Sequence, residues 1–280
     1  MNASAPPEPI IRVSNLRKVF PSPHGKRAGS VPAVDDVSFD LFPNECVAIV
    51  GESGSGKTTV ARMIVGLETI TSGTVTIKGQ DRSTAGRKLA DRRARARDVQ
   101  YVFQDPYSSL NPKQKIGDVI LSNLALHRGA ANTKKPSRAQ AQKILDAVGL
   151  TEQFFDRYPR ELSGGQRQRA AIARALAVNP DVIVLDEAVA ALDVSIQAQI
   201  LNLLADIRAQ RSISYLFISH DLSVVNQISE RMIVMERGTV VDRGDTAQLL
   251  AHPTHPYTRA LRAAVPGPGW KPVRRERLSS

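Results

Sequence analysis

The sequence predicts an α/β protein in which helices cover both faces of a parallel sheet. Three short apolar runs are typical of buried strands, at residues 46–50, 182–185 and 215–218. Segments with apolar residues at helical spacing, such as residues 139–148 and 196–207, lie between them. Buried strands that alternate with helices indicate a parallel sheet covered on both sides.

A glycine-rich loop follows the first buried strand and precedes a helical pattern at residues 60–65. Its sequence, Gly-Glu-Ser-Gly-Ser-Gly-Lys-Thr-Thr, fits the phosphate-loop motif G-x-x-x-x-G-K-[ST]. Glycines let the loop curl so that backbone N–H groups point at phosphate oxygens, and the positive end of the following helix adds to that field. We expect Lys57 to reach the β- and γ-phosphates and Thr58 to hold Mg²⁺. The predicted nucleotide contacts are Gly51, Glu52, Ser53, Gly54, Ser55, Gly56, Lys57, Thr58 and Thr59.

Composition narrows the class of protein. The chain has 280 residues, of which 42% are hydrophobic, an ordinary value for a soluble globular protein. No apolar run approaches the ~18 residues of a membrane span, and the N-terminus lacks the pattern of a signal peptide. The single cysteine, Cys46, excludes an intrachain disulfide and a cysteine-built metal site, so we expect it to be a small core residue. These features favour the cytoplasm.

The net charge of +11 is compatible with nucleic acid, an anionic membrane or a nucleotide as the partner. Two segments are crowded with basic residues. They contain Arg82, Arg87, Lys88, Arg92, Arg93, Arg95 and Arg97 in the first segment, and Lys271, Arg274, Arg275 and Arg277 in the tail. Neither is interleaved with aromatic residues as a base-stacking surface would be, so we expect solvated basic faces.

The N-terminal part of the chain predicts antiparallel strands beside the phosphate loop. Residues 1–9 are proline-rich and are predicted to be disordered. Strand patterns follow at residues 10–20, 34–41 and 73–79, the first two separated by a loop rich in proline, glycine and basic residues. Residues from about 105 to 178 are predicted to be mainly helical. Residues 236–238 indicate a hairpin turn near the end of the sheet.

Two carboxylates, Asp186 and Glu187, end the apolar strand at residues 182–185. Ligands bind at the carboxyl ends of strands in open α/β sheets, and a phosphate loop needs a carboxylate to complete its Mg²⁺ site. We therefore assign Asp186 to the metal. Glu187, the next residue, is placed to accept a proton from an attacking water.

The stretch Leu-Ser-Gly-Gly-Gln at residues 162–166 precedes a second helix and predicts a second anion-binding helix N-terminus. With this stretch, the chain resembles the nucleotide-binding subunits of ABC transporters. Residues 51–58 match the family's Walker A motif, residues 162–166 its signature and residues 182–187 its Walker B motif. The resemblance implies a P-loop NTPase ABC-cassette fold with a mixed central sheet, an antiparallel β subdomain and a helical subdomain. It also implies that Ser163, Gly164, Gly165 and Gln166 act on the ATP of an opposing subunit.

Further positions follow the family pattern. Gln104 resembles the glutamine that touches Mg²⁺ and the attacking water and leads toward the membrane subunit. His220 resembles the switch histidine that contacts the γ-phosphate. Residues 190–193 resemble the D-loop. Phe20 resembles the aromatic residue that stacks on adenine, with simple core packing as the open alternative.

The resemblance covers residues 10–266 and is closest to the ATPases of oligopeptide and dipeptide importers. It rests on residues 104–112, 192–199 and 252–261. It implies a cassette at residues 10–250, with its helical subdomain at about 105–178, and a C-terminal extension at 251–280. The implied cofactors are ATP and Mg²⁺. The implied partners are a second ATP-binding subunit in a head-to-tail dimer, two membrane permease subunits and an extracytoplasmic solute-binding protein, with no nucleic acid. The implied location is the cytoplasmic face of the inner membrane, as a peripheral subunit.

Two residues depart from the family pattern. Ala188 stands where the family has proline, which removes a constraint on φ and frees an N–H, so the turn that holds Glu187 is expected to be looser. Ala190 stands where the family has serine, which removes a hydroxyl. Because both acids remain, we still expect hydrolysis, at a slower or unequal rate.

A soluble ABC ATPase that acts on nucleic acid is the alternative function, and it is consistent with the positive net charge. Such proteins carry long coiled coils, zinc-binding cysteines or two cassettes in one chain, and this sequence has none of these features. A P-loop kinase would have no use for the Leu-Ser-Gly-Gly-Gln stretch.

Overall fold

The computed structural model describes residues 7–21, 31–84, 88–105, 109–126 and 135–264. Its strands, in chain order, are β1 (Ile11–Lys18), β2 (Val34–Leu41), β3 (Cys46–Val50), β4 (Ser72–Ile77), β5 (Gln80–Asp81), β6 (Val99–Val102), β7 (Val182–Asp186), β8 (Ser214–Ser219), β9 (Arg231–Glu236) and β10 (Thr239–Asp245). The α-helices are α1 (Lys57–Val65), α2 (Leu89–Asp98), α3 (Ile116–Leu126), α4 (Arg138–Asp146), α5 (Gly164–Leu176), α6 (Val194–Arg211), α7 (Leu222–Ile228), α8 (Thr246–Ala251) and α9 (Pro256–Ala263).

The larger sheet has the strand order β10-β9-β3-β8-β7-β6. Strand β3 lies between β8 and β9 and is parallel to both, and β7 is parallel to β6 and β8. Strand β10 is antiparallel to β9 at one edge, across the predicted hairpin turn. The prediction of a mixed central sheet is therefore confirmed.

The smaller sheet is antiparallel, with the order β2-β1-β4-β5. It confirms the antiparallel strands predicted near the N-terminus. Helix α1 packs between the two sheets, where Val60, Met63 and Ile64 join one hydrophobic cluster with side chains from both.

The predicted helical segment contains α3, α4 and α5, together with two short 3₁₀ turns at Glu152–Phe154 and Pro159–Glu161. It packs on the opposite face of the central sheet from α1. Alternate residues of β3 separate the two sides: Cys46, Ala48 and Val50 face the helical side, and Val47 and Ile49 face α1. Both faces of the strand are buried, as its continuous apolar sequence predicts.

The first basic segment is only partly the solvated face that we expected. It forms α2 and leads into β6, two elements that the sequence analysis did not assign. Arg92, Arg93 and Arg97 are exposed, as expected. Arg95, in contrast, is 7% exposed and donates hydrogen bonds to the backbone carbonyls of Arg82 and Thr84, and its burial lowers its pKa. A buried guanidinium needs such hydrogen-bond partners, and a count of charges does not reveal them.

Several predictions fall partly or wholly outside the described residues. They are the disorder of residues 1–6, a role for Arg87, the segment 106–108 of the importer-type stretch, and the basic tail with Lys271, Arg274, Arg275 and Arg277. Of the C-terminal extension, residues 251–264 are described, and they include α9.

In the described part of the chain, no helix is both long enough and apolar enough to cross a membrane.

Cys46 offers a direct test of the packing of β3. Its side chain is fully buried, and burial raises the pKa of its thiol. Because the thiolate is the reactive form, we expect native protein to react with a thiol reagent such as DTNB only as fast as it unfolds. Guanidinium-denatured protein, the control, should release one equivalent of the chromophore at once. Rapid stoichiometric labelling of the native chain would contradict the described core.

Candidate functional site

The phosphate loop bridges β3 and α1, and Lys57 is the first residue of the helix. Gly56, just before it, has φ of 101°, and a Cβ at this position would lie 2.5 Å from the carbonyl oxygen of Ala33. The loop therefore requires glycine here both for its backbone conformation and for space.

The ammonium group of Lys57 is held inside the loop. Its Nζ donates to the carbonyl oxygens of Gly51 at 2.8 Å and Glu52 at 2.7 Å, and its side chain is buried. Burial lowers the pKa of Lys57, while the nearby carboxylates of Glu187 and Asp186 act in the opposite direction. The Lys57 ammonium is therefore bound by two carbonyl oxygens of the loop, and it can exchange them for phosphate oxygens.

Asp186, at the end of β7, connects the two predicted motifs. Its Oδ1 accepts a hydrogen bond from Thr58 Oγ1 at 3.0 Å, and its Oδ2 accepts one from the hydroxyl of Tyr101 on β6. Burial, reinforced by this hydrogen bond, raises the pKa of Tyr101, so the phenol stays protonated and remains a donor. A hydroxyl and a carboxylate side by side at a helix N-terminus are oxygen ligands of the kind that Mg²⁺ prefers.

Glu187 contacts two of the predicted side chains, and its backbone is bonded to β8. Its Oε2 accepts a hydrogen bond from Gln104 Nε2 at 2.8 Å, and its Oε1 lies 3.4 Å from His220 Nδ1. Its backbone N–H donates to Ile218 of β8 at 2.9 Å, and its φ is 47°. The structure thus brings Glu187, Gln104 and His220 together beside Asp186, as the sequence analysis expected.

The signature residues form the N-terminus of α5. Ser163 Oγ accepts from the backbone N–H of Gln166, whose side-chain oxygen accepts from the N–H of Ser163, which makes a capping box. A Cβ at Gly165 would lie 2.6 Å from Cγ2 of Ile196, so glycine permits close approach of α5 to α6. Ser163 itself is exposed. It is therefore available to a ligand on another molecule.

Phe20 follows β1 and is 44% exposed, with Lys18 Nζ 4.8 Å from its ring centroid. The ring is not a core side chain. Its stacking on adenine stays a prediction.

The turn after β7 contains Ala188 and is held by hydrogen bonds within the turn and from α6. Ala188 is buried, and the N–H of Ala190 donates to the carbonyl of Glu187 at 3.1 Å. Gln197 of α6 donates its side-chain amide to Val189 at 3.0 Å. These two hydrogen bonds, which were not predicted, stabilise the turn that contains Glu187. The effect of Ala188 and Ala190 on turnover stays a prediction.

Two tyrosines that were not predicted, Tyr101 and Tyr257, also contact the site. Tyr101 has a signal in the sequence, because a phenol in an apolar strand three residues before Gln104 needs a partner for its hydroxyl. Tyr257 accepts a hydrogen bond at 2.9 Å from the backbone N–H of Glu52 in the phosphate loop. It lies in the stretch 252–261, which served only as a family marker.

Comparison with known proteins places these motifs in one family. The model of the ABC transporter family matches residues 34–190. The glutathione import ATP-binding protein GsiA of Escherichia coli K12 is 48% identical over 264 residues, which cover 92% of this chain but only 41% of GsiA. The oligopeptide transport ATP-binding protein OppF of Bacillus subtilis is 44% identical over 262 residues, covering 93% of this chain and 84% of OppF.

Solved structures agree in fold. The ATP-binding cassette MJ0796, described as a dimer in a post-hydrolysis state with ADP and Pi, has a TM-score of 0.72 and 30% identity. The match covers 84% of this chain and 98% of that one. CbiO1 of Clostridium perfringens, described as part of the ABC transporter complex cbiONQ, has a TM-score of 0.71 and 25% identity, with coverage of 87% and 91%.

Replacing Tyr101 by phenylalanine tests how strongly Asp186 depends on its second hydrogen bond. Loss of a hydrogen bond to a buried charged group costs about 1.5–3 kcal/mol, and a neutral one about 0.5–1.5 kcal/mol. Tyr215→Phe is the matched control, because its buried hydroxyl donates to a neutral carbonyl, that of Leu204, at 2.9 Å. We expect urea denaturation to show a larger loss for Tyr101→Phe. Equal losses would mean that the hydrogen bond from Tyr101 to the Asp186 carboxylate stabilises the fold no more than a hydrogen bond to a neutral carbonyl does.

Proposed function

Because this chain belongs to the ABC transporter family of ATP-binding proteins, we propose that it hydrolyses ATP to power the import of peptides or a related small solute. The observation that carries the proposal is the meeting of Lys57, Thr58, Asp186 and Glu187 at the carboxyl ends of β3 and β7. This edge of the sheet is where α/β proteins bind ligands.

The loop supplies what a nucleoside triphosphate needs. The N-terminus of α1 and the loop amides face the phosphates, and Lys57 exchanges its carbonyl partners for phosphate oxygens. Thr58 Oγ1 and Asp186 Oδ1, which lie 3.0 Å apart, would hold Mg²⁺, and the ion would supply positive charge beside the phosphates. Gln104 is the third candidate for the metal, and in this structure its amide lies at Glu187. Phe20 is the platform for the adenine ring.

Glu187 is the general base for the attacking water. A base must be oriented by its neighbours. Here Gln104 donates a hydrogen bond to Glu187, and His220 Nδ1 lies 3.4 Å from the Glu187 carboxylate. His220 is half-exposed, and it faces the γ-phosphate in the proposed arrangement.

A second cassette completes the site. Ser163, Gly164, Gly165 and Gln166 present a helix N-terminus, which is a ready site for phosphate oxygens. The dimeric cassette MJ0796 supports this arrangement. We therefore assign these four residues to the ATP bound on the opposing subunit, in a head-to-tail dimer.

Membrane permease subunits are the partners that would couple ATP hydrolysis to solute import. A groove of about 750 Å³ opens at the junction of α2, β6 and the helical segment, lined among others by Leu67, Arg92, Phe103 and Arg174. Phe103 is the residue before Gln104, and Gln104 donates a hydrogen bond to Glu187. A partner that moved Phe103 would therefore also displace a contact of Glu187. We assign the permease to this groove, and we assign the chain to the cytoplasmic face of the membrane as a peripheral subunit.

The solute is a peptide or a peptide-like compound. GsiA is named for glutathione import and OppF for oligopeptide transport, and both share nearly all of this chain's length. An extracytoplasmic solute-binding protein would deliver the solute to the complex. The alternative, an ATPase acting on nucleic acid, draws no support from these relatives.

Replacing Glu187 by glutamine tests the proposed base. The carboxamide keeps the shape but accepts no proton at neutral pH, and general-base catalysis contributes about 100-fold or more. We expect ATP hydrolysis to fall by about that factor, ATP affinity to stay within about two-fold, and cells carrying only this variant to lose uptake of labelled peptide or glutathione. Glu152→Gln, on an exposed side chain of the helical segment, is the control and should behave like the parent.

Three outcomes would count against this assignment. Hydrolysis by Glu187→Gln within a few-fold of the parent would reject the base. If Glu187→Gln lost ATP hydrolysis as expected but the cells took up peptide and glutathione unchanged, the solute class would be rejected. Salt-dependent binding of DNA, with hydrolysis stimulated by it, would favour the nucleic-acid alternative.

A mixing experiment tests the shared site. Lys57→Ala removes the loop's cation and Ser163→Arg blocks the signature, so each variant alone should be nearly inactive. In a mixed dimer one site joins an intact loop to an intact signature, and part of the activity should return. If the chain pairs with a different cassette, the two changes are divided between the two proteins.

Ser137→Arg is the matched control for the signature variant. Ser137 caps α4 with the same kind of capping box, through Gln140, and so isolates the cost of losing a cap. It should keep its activity without being mixed with a second variant. ATP hydrolysis proportional to the concentration of a chain that stays monomeric with ATP would rule out the shared site.

A further inference from the structure

The C-terminal extension reaches back to the phosphate loop through one side chain. Tyr257, near the start of α9, accepts a hydrogen bond at 2.9 Å from the backbone N–H of Glu52, 205 residues earlier in the chain. The ring itself packs against the hydrophobic cluster on the helical side of the central sheet. The sequence stretch that contains it had no chemical role in the sequence analysis.

The peptide unit between Gly51 and Glu52 is held from both ends. Its carbonyl, that of Gly51, accepts from Lys57 Nζ at 2.8 Å, and its N–H, that of Glu52, donates to Tyr257. In a trans peptide these two groups point in opposite directions. Tyr257 and Lys57 therefore fix the orientation of one peptide plane at the entrance of the loop.

A carboxylate on β10 anchors the segment around Tyr257. Asp242 accepts from the hydroxyls of Thr254, at 3.2 Å, and Thr258, at 3.0 Å, and from the backbone N–H of His255 at 3.3 Å. Thr258 is 1% exposed, next to Tyr257. His255 caps α9, since its Nδ1 accepts from the N–H of Tyr257 at 3.3 Å. The Asp242 anchor thus sets where α9 begins and where the phenol oxygen lies.

We propose that Tyr257 is a positioning residue for the phosphate loop, held in place by Asp242 and Thr258. It acts most strongly when nucleotide is bound. In this structure Lys57 secures the Gly51 carbonyl, but a phosphate group competes for the same ammonium. Once Lys57 turns to the phosphates, the Tyr257 hydroxyl still holds the N–H end of the peptide, so the loop keeps its shape. The proposal rests on the proposed nucleotide binding at this loop.

The test measures ADP affinity rather than turnover, on the full chain, by titration calorimetry in the presence of Mg²⁺. Tyr257→Phe removes the hydroxyl and keeps the ring. The net contribution of one hydrogen bond corresponds to a factor of about three to ten in affinity, so we expect the dissociation constant for ADP to rise by that factor. Tyr215→Phe is the matched control. It loses a buried phenol–backbone hydrogen bond of the same 2.9 Å length, away from the loop, and should leave ADP affinity unchanged.

The anchor is tested with an isosteric pair. Thr258→Val removes the hydroxyl that Asp242 accepts from, and it should weaken ADP binding by no more than Tyr257→Phe does. Thr246→Val, the control, removes a buried hydroxyl that contacts Ser229 on the same side of the chain, and should not change ADP binding. Because Thr258 acts through Tyr257, the double variant Tyr257→Phe with Thr258→Val should bind ADP as Tyr257→Phe does.

The outcomes separate the inference from the proposed function. A parent chain that binds no ADP would overturn the proposed function together with the positioning role. A parent that binds ADP, with Tyr257→Phe within two-fold of it, would overturn the positioning role alone. Equal weakening by Tyr257→Phe and Tyr215→Phe would assign the effect to general stability and also overturn it. Independent, multiplying effects of the two changes in the double variant would remove the Asp242 anchor from the proposal.

Discussion

Three neighbouring parallel strands end at the same edge of the central sheet, and the site depends on that constraint. Strand β3 leads into the phosphate loop, β8 is followed by His220, and β7 ends at Asp186, with Glu187 directly after it. Parallel pairing aligns the three carboxyl ends, with Val50 beside Ser219 and Asp186 beside Ile218. The motifs lie far apart in the sequence, and the hydrogen bond between Thr58 and Asp186 is possible only because the register of these strands is correct.

Burying the Lys57 ammonium at this edge costs hydration free energy, and neighbouring groups of the loop compensate for it. Burial lowers the pKa of Lys57, which means that the folded chain penalises the charged ammonium. Two backbone carbonyls at 2.7–2.8 Å and the carboxylates beyond them compensate. A phosphate offers a better partner than a carbonyl does, because its charge is opposite and full. The carbonyls of Gly51 and Glu52 are therefore partners that Lys57 can exchange for phosphate oxygens.

The sequence predicted those parts of the molecule that short motifs encode. The loop, the two acids after β7 and the capped helix at Ser163 each follow from residues close together in the chain, and neighbouring apolar runs predict the strands. Helix α2 was not predicted because six of its ten residues are charged, which leaves no apolar period to detect. The contact of Tyr101 with Asp186 depends on β6 lying next to β7, a pairing that no local pattern specifies.

Tyr257 shows the same limit over a longer range and gives the C-terminal extension a physical connection to the site. A stretch with two prolines and two histidines is easily recognised in a sequence, but its partner, the N–H of Glu52, is a backbone group with no signature of its own. The connection runs from Asp242 on the edge strand β10 through α9 to the first turn of the loop. If Tyr257 has the proposed positioning role, a protein that shifted α9 would act on the nucleotide site, and nucleotide binding would in turn act on α9, because coupling between two sites is reciprocal. On that proposal, α9 and the phosphate loop act as one unit.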